Sequence, residues 1–213
     1  MTDQNDGLGP IIETHPWEPF IPDGAEVLIM GTFPPQPKRW AMDFYYPNRT
    51  NDFWPMMALI FLGHRDALRL PGSKDFDLDA IKRLLTEKRI ALNDTGRKVR
   101  RLAGNASDKY LEIVEPVPLR DLLERMPRCR AVATTGEKAA GVVAALTGTP
   151  LPRMGEMVTA PGYLDAATAG GRGRDLEVWR MPSTSRAYPL ALDKKAAYYR
   201  RLFDHLGISA ENR

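Results

Sequence analysis

Cysteine is nearly absent. Cys129 is the only one in 213 residues, which excludes a disulfide framework, a four-cysteine zinc site and a cysteine-held iron–sulfur cluster. Histidine is almost as scarce: His15, His64 and His205 stand far apart in the chain, so a protein-built metal site is not expected. No apolar run approaches the roughly 18 residues of a membrane-spanning helix. The opening MTDQNDGLGP has neither the basic start nor the apolar stretch of a secretory signal, so a cytoplasmic protein is expected. No Pro/Gly/Ser-rich linker divides the chain, and residues 1–213 read as one domain with an extended N-terminal segment over 1–20.

The common nucleotide and esterase signatures are also missing. No G-x-G-x-x-G or G-x-x-x-x-G-K-[ST] stands at a strand end, and there is no G-x-S-x-G elbow. TTGEKAA at 134–140 has a Gly and a Lys at the wrong spacing for a phosphate loop, and reads as a helix start capped by Thr135.

What is present is an ordinary soluble composition, 43% hydrophobic and 27% charged. The net charge of +3 is mild, with basic residues concentrated in RKVRR (97–101) and DKKAAYYRR (193–201). Each run reads either as a solvated helix face or as part of a nucleic-acid surface.

Four short apolar runs bounded by turn residues predict buried strands: 26–30, 89–93, 130–134 and 176–181. Helical patterns occupy 51–62, 77–88, 118–126, 136–148 and 193–207, the first with Asn51 at or just before its cap and Pro55 in its first turn. Strand–helix alternation predicts a three-layer α/β/α sandwich around a central four-stranded parallel sheet. Ligands of such sheets bind beyond the carboxyl ends of the strands, which directs attention to GTFPPQPKRW, DTGRKVRR, TTGEKAA and PSTSRAY. The stretch 166–175 reads as a loop or hairpin turn.

After the first strand, Phe33, Trp40, Phe44, Tyr45 and Tyr46 share a loop with Pro34, Pro35, Pro37 and Pro47. Such rings either pack a core or hold a flat ligand; a nucleobase suits the second use, since stacking contributes roughly 1–3 kcal/mol per base. After the fourth strand, Ser183, Thr184, Ser185 and Arg186 offer compact donors for phosphate oxygens, or else form a loop that only caps a helix.

Together these segments resemble the uracil-DNA glycosylase superfamily, most closely its mismatch-specific uracil/thymine and hypoxanthine branches. The resemblance rests on Gly31-Thr32-Phe33-Pro34, then Tyr46-Pro47, then Asn51-Asp52-Phe53-Trp54, and on Met181-Pro182-Ser183-Thr184-Ser185 followed by Tyr198-Tyr199 on a basic helix. It implies a monofunctional DNA glycosylase of base excision repair, acting as a monomer without cofactor or metal, that flips a uracil- or hypoxanthine-type base from DNA and hydrolyses its N-glycosidic bond. The implied base pocket comprises Gly31, Thr32, Phe33, Pro34, Tyr46 and Phe53.

The family's usual Asp or Asn before the Pro is replaced by Phe33, which cannot accept a hydrogen bond from water. The hypoxanthine branch also has an apolar residue there and relies on the Asn that Asn51 matches, so water orientation is assigned to Asn51. Asp94 and Asp108 are carboxylates that could compensate; Asp43 and Asp52 are expected to face solvent. Arg186 is the expected wedge, although the thymine branch has its Arg where this chain has Ala187. Lys38, Arg39, Lys194 and Lys195 are expected phosphate contacts. Two other readings stay open: a damaged-DNA binding module that has lost its chemistry, and an N-glycosidase for small nucleosides or nucleotides.

Overall fold

The computed structural model describes residues 11–102, 110–164 and 173–208; Asp108 and most of the 166–175 stretch lie outside them. In chain order the elements are β1 (Ile12–Thr14), β2 (Val27–Gly31), α1 (Phe53–Phe61), α2 (Leu78–Glu87), β3 (Ile90–Asp94), β4 (Gly96–Arg101), β5 (Leu111–Pro116), α3 (Leu119–Glu124), β6 (Ala131–Thr135), α4 (Glu137–Thr147), β7 (Met157–Leu164), β8 (Arg174–Met181) and α5 (Leu192–His205).

The expected sandwich is there. β3, β2, β6 and β8 are the four strands read from the sequence, parallel and adjacent in that order, and β7 adds an antiparallel edge strand. Their side chains alternate between faces with the period of two that a strand dictates. Val27, Ile29, Leu92 and Ala133 pack with α1, α2 and α5, whereas Leu28, Met30, Ala91 and Val132 pack with α3 and α4. Both faces are covered, so β2, β3 and β6 each begin with an unbroken apolar run and are buried throughout.

The chain steps from β2 to β3 on one side and returns to β6 on the other. The order of strands therefore reverses between β2 and β6, and a crevice opens beyond their carboxyl ends.

β1, β4 and β5 form a separate antiparallel sheet. The RKVRR run is thus a strand, not the helix face considered for it, and its charge is largely neutralised at close range. Arg97 and Lys98 pair with Glu115 at 3.0 and 2.7 Å, Arg100 with Glu112 at 3.0 Å, and Arg101 with Glu13 at 2.7 Å. The Lys98 hydrogen bond leads the causes that hold the Glu115 carboxyl below its ordinary range.

Candidate active site

A cavity of about 630 Å3 lies at the strand-order reversal. Every segment that follows a parallel strand contributes to it: Gly31 to Pro35 after β2, Asp94 ending β3, Thr135 ending β6, and Ser183 to Arg186 after β8. Tyr46 and Asn51 close it from the loop before α1.

Gly31 makes the arrangement possible. It is paired in register with Asp94, and a Cβ on it would lie 2.5 Å from Asp94 Oδ1 and 3.3 Å from the Tyr46 hydroxyl. Gly31→Ala is accordingly expected to fold but to displace the Asp94 carboxylate; a crystal structure of the variant with Asp94 unmoved would refute this.

Tyr46 has φ 52, in the left-handed region that a non-glycine residue occupies at a cost of about 1–3 kcal/mol. Its ring lies on Phe53, centroids 3.8 Å apart and planes 14° apart, and its hydroxyl is 3.2 Å from Thr135 Oγ1. Burial, followed by the charge of Asp94, pushes the Tyr46 phenol well above its ordinary pKa, so it stays a hydrogen-bond donor. Phe53, expected in the pocket wall, is fully buried and stands behind Tyr46 as the support for its ring. Thr135, expected to cap α4, instead meets Tyr46; Gly136 is the cap position.

Asn51 Oδ1 accepts the Phe53 N–H at 2.8 Å. That bond orients the side chain and satisfies a donor at the start of α1, while the Asn51 amide nitrogen has no partner among the described residues. Asn51 therefore faces the cavity with a fixed amide whose nitrogen is free to donate.

Asp94 is the acceptor there. It is buried, and its Oδ2 lies 3.0 Å from Nε2 of His15, a residue that sequence spacing gave no reason to select because its partner stands 79 positions away. The segment after β1 carries His15 under the loop: the ring stacks on Tyr45 and meets the Phe33 edge with centroids 5.4 Å apart. Burial lowers the His15 pKa, but the hydrogen bond and charge of Asp94, the Trp17 carbonyl and the charge of Glu18 together outweigh it, and the net shift is upward. The pair is complete below the ordinary His pKa of 6.5 and weakens as pH rises through the raised value. His15→Gln is therefore expected to cost about 1.5 kcal/mol in mildly acid solution and progressively less in alkaline solution. Urea unfolding of both proteins across about pH 5 to 9 checks this; a difference constant with pH would count against it.

Phe33 walls the cavity and is held by Arg101, whose guanidinium lies 5.6 Å from its ring centroid and donates to the Pro34 carbonyl at 2.8 Å. Arg39, exposed on a short 3-10 turn, reaches the cavity rim; Lys38 beside it and Lys194 in the first turn of α5 are exposed away from the lining. Ser183 and Ser185 accept the backbone N–H groups of Ser185 and Ala187 at 3.2 and 3.3 Å, which shapes the loop and leaves both hydroxyl hydrogens for donation.

Two expectations about charge are overturned. Asp52 is buried rather than solvent-facing, and Lys195 is fully buried rather than a phosphate contact. Lys195 Nζ donates to Asp52 Oδ2 and to the Ser185 carbonyl, each at 2.8 Å. The Asp52 N–H in turn donates to the Thr184 carbonyl at 2.9 Å, and Arg186 approaches Asp52 Oδ1 at 3.3 Å. The reason is helical phase: Lys195 shares a face of α5 with Ala196, Tyr199 and Leu202, and an inward lysine requires a carboxylate. This cluster joins the two halves of the cavity.

Among the described residues no group of three or more His, Cys, Asp or Glu is placed to hold a metal, and no helix is long and apolar enough to cross a membrane. Cys129 is buried with its thiol pushed up to about 12, first by burial, and is remote from nucleophilic use.

The fold is a three-layer α/β/α sandwich with its cavity beyond the carboxyl ends of the parallel strands. A solution NMR structure from Methanosarcina acetivorans, described as a "putative Uracil DNA glycosylase", is similar to this chain with a TM-score of 0.61 at 20% identity, covering 92% of this chain and 99% of that one. No family model and no curated protein matches the sequence.

Proposed function

We propose that the protein is a monofunctional DNA glycosylase of base excision repair that removes a deaminated or mismatched base of the uracil or hypoxanthine type. The observation that carries this reading is the joint presence, in one cavity of about 630 Å3, of a buried carboxylate, a fixed amide donor and aromatic walls, rimmed by hydroxyls and arginines.

The chemistry follows from those groups. A base flipped into the cavity lies along Phe33 and Tyr46, with phosphates at Ser183, Ser185 and Arg186 and with Arg186 filling the vacated stack. Asp94 orients a water by accepting its hydrogen and stabilises positive charge developing on the sugar. As the C1′–N bond breaks, its electron pair leaves with the base, where donation from the Asn51 amide stabilises the anion. The water oxygen bonds to C1′, its proton passes to Asp94, and the base is protonated on release. Asp94 thereby takes the role that Phe33 cannot fill, and Asn51 acts as donor rather than as the sole water ligand.

Single-turnover excision, with protein in excess over labelled duplexes carrying uracil, hypoxanthine, xanthine or thymine opposite each base, tests the proposal. Release of one base class supports it. Tight binding to these duplexes with no base released would instead favour a damaged-DNA binding module.

A further inference from the structure

Next to the candidate active site lies a second cavity of about 900 Å3 that shares Thr50 and Arg186 with the first. Its lining holds Arg49, Arg65, Arg69, Lys74 and Arg186 against a single carboxylate, Asp66. Three of these cations are compensated locally: Arg69 by Asp66 at 2.8 Å, Arg49 by Asp75 at 2.5 Å and Arg186 by Asp52 at 3.3 Å. Arg65 and Lys74 are exposed and have no ion-pair partner among the described residues. This contrasts with β4, where four basic side chains each meet a glutamate.

The wall is pre-shaped. Leu68 and Phe76 anchor it in the core, the Leu70 N–H donates to the Asp75 carbonyl at 3.0 Å, and the Asp77 N–H to the Leu68 carbonyl at 2.9 Å. Arg69 also lies over the Phe76 ring, 5.1 Å from its centroid, and donates to the Lys74 carbonyl. A fixed concave surface with surplus positive charge fits a polyanion whose charges repeat along a chain, and this one opens directly from the rim of a pocket shaped for a base.

We propose that this groove binds the sugar-phosphate backbone of the same strand that carries the flipped base, on one side of it, with Arg65 and Lys74 contacting phosphates. The inference rests on the glycosylase reading and adds a one-sided strand path to it. The strand is held by charge, so the groove does not affect which base is chosen.

The probe is single-stranded DNA carrying a tetrahydrofuran abasic site, extended by about five nucleotides on the 5′ side or on the 3′ side only. Binding is measured by fluorescence anisotropy at several salt concentrations. The wild type should gain more affinity from one extension than from the other. Arg65→Ala/Lys74→Ala should abolish that gain, leave the other extension unchanged and flatten the salt slope by roughly 1.4, at about 0.7 per phosphate contact on a single strand. Both side chains are exposed, so thermal unfolding should be unaltered. The groove assignment is overturned if the double variant binds both strands as the wild type does, if it loses affinity equally for both, or if neither strand binds the wild type. Excision from a duplex is scored separately: base release with an unchanged extension profile would leave the glycosylase reading intact and remove this one.

Discussion

Lys195→Met is expected to destabilise the protein by about 3–5 kcal/mol, because it leaves the buried Asp52 carboxylate without its closest counter-charge. For a chain of this size that corresponds to a fall in Tm of roughly 10 °C. Arg186 lies 3.3 Å from Asp52 and is half exposed; its swing inward places the loss toward the lower end. Asp52→Leu combined with Lys195→Met removes both charges and should recover much of the stability, since apolar replacement of a whole buried pair is often neutral. It should not recover excision, because the hydrogen bond from Lys195 to the Ser185 carbonyl is lost as well. Thermal denaturation of the four proteins in a double-mutant cycle measures the coupling. A single Lys195→Met variant with unchanged Tm would show that the pair does not hold the loop.

Asp94→Asn is expected to slow single-turnover excision by about 10²–10⁴-fold, the range for removing a positioned proton acceptor. Asparagine keeps the volume and one acceptor oxygen, so the fold should survive. Asn51→Ala removes a different contribution: it should lower the rate by about 10²-fold, as loss of one donor to a developing anion does, and cost about 1 kcal/mol through the lost hydrogen bond to the Phe53 N–H at the start of α1. The two variants thus separate by stability as well as by rate. If Asp94→Asn retains activity within a few fold while Asn51→Ala abolishes it, the water belongs to Asn51 and Asp94 is only the partner of His15.

The central strands were legible because burial on both faces makes β2 and the first three residues of β3 and β6 apolar, and β8 keeps Leu176, Val178, Trp179 and Met181; runs of that kind need no partner to be recognised. The outlying strands gave no such signal. β4 is mostly basic and only Val99 and Gly96 are buried in it; β7 contains Pro161 and Gly162 and a shift in register, which a strand tolerates at an edge. The loops after the strands were found by their place in the alternation, which pointed to Asp94 and the Ser183–Arg186 segment, whereas Tyr46 and Asn51 were singled out by the resemblance; all of them line one cavity. Asp52 and Lys195 were misjudged, and His15 was passed over, for a shared reason. A titratable side chain is assigned to solvent by default, and what reverses the assignment is a partner at 79 or 143 positions' distance, which only tertiary structure supplies.

That long separation also bears on the order in which the molecule is made. A ribosome delivers Lys195 143 residues after Asp52, a lag of roughly 7–30 s at ordinary elongation rates. Throughout that interval the aromatic half of the cavity can be present while the phosphate-facing half cannot be fastened to it. The tie between Asp52 and the Ser185 carbonyl forms only when α5 docks, so the cavity is completed by one of the last of the described segments to be made.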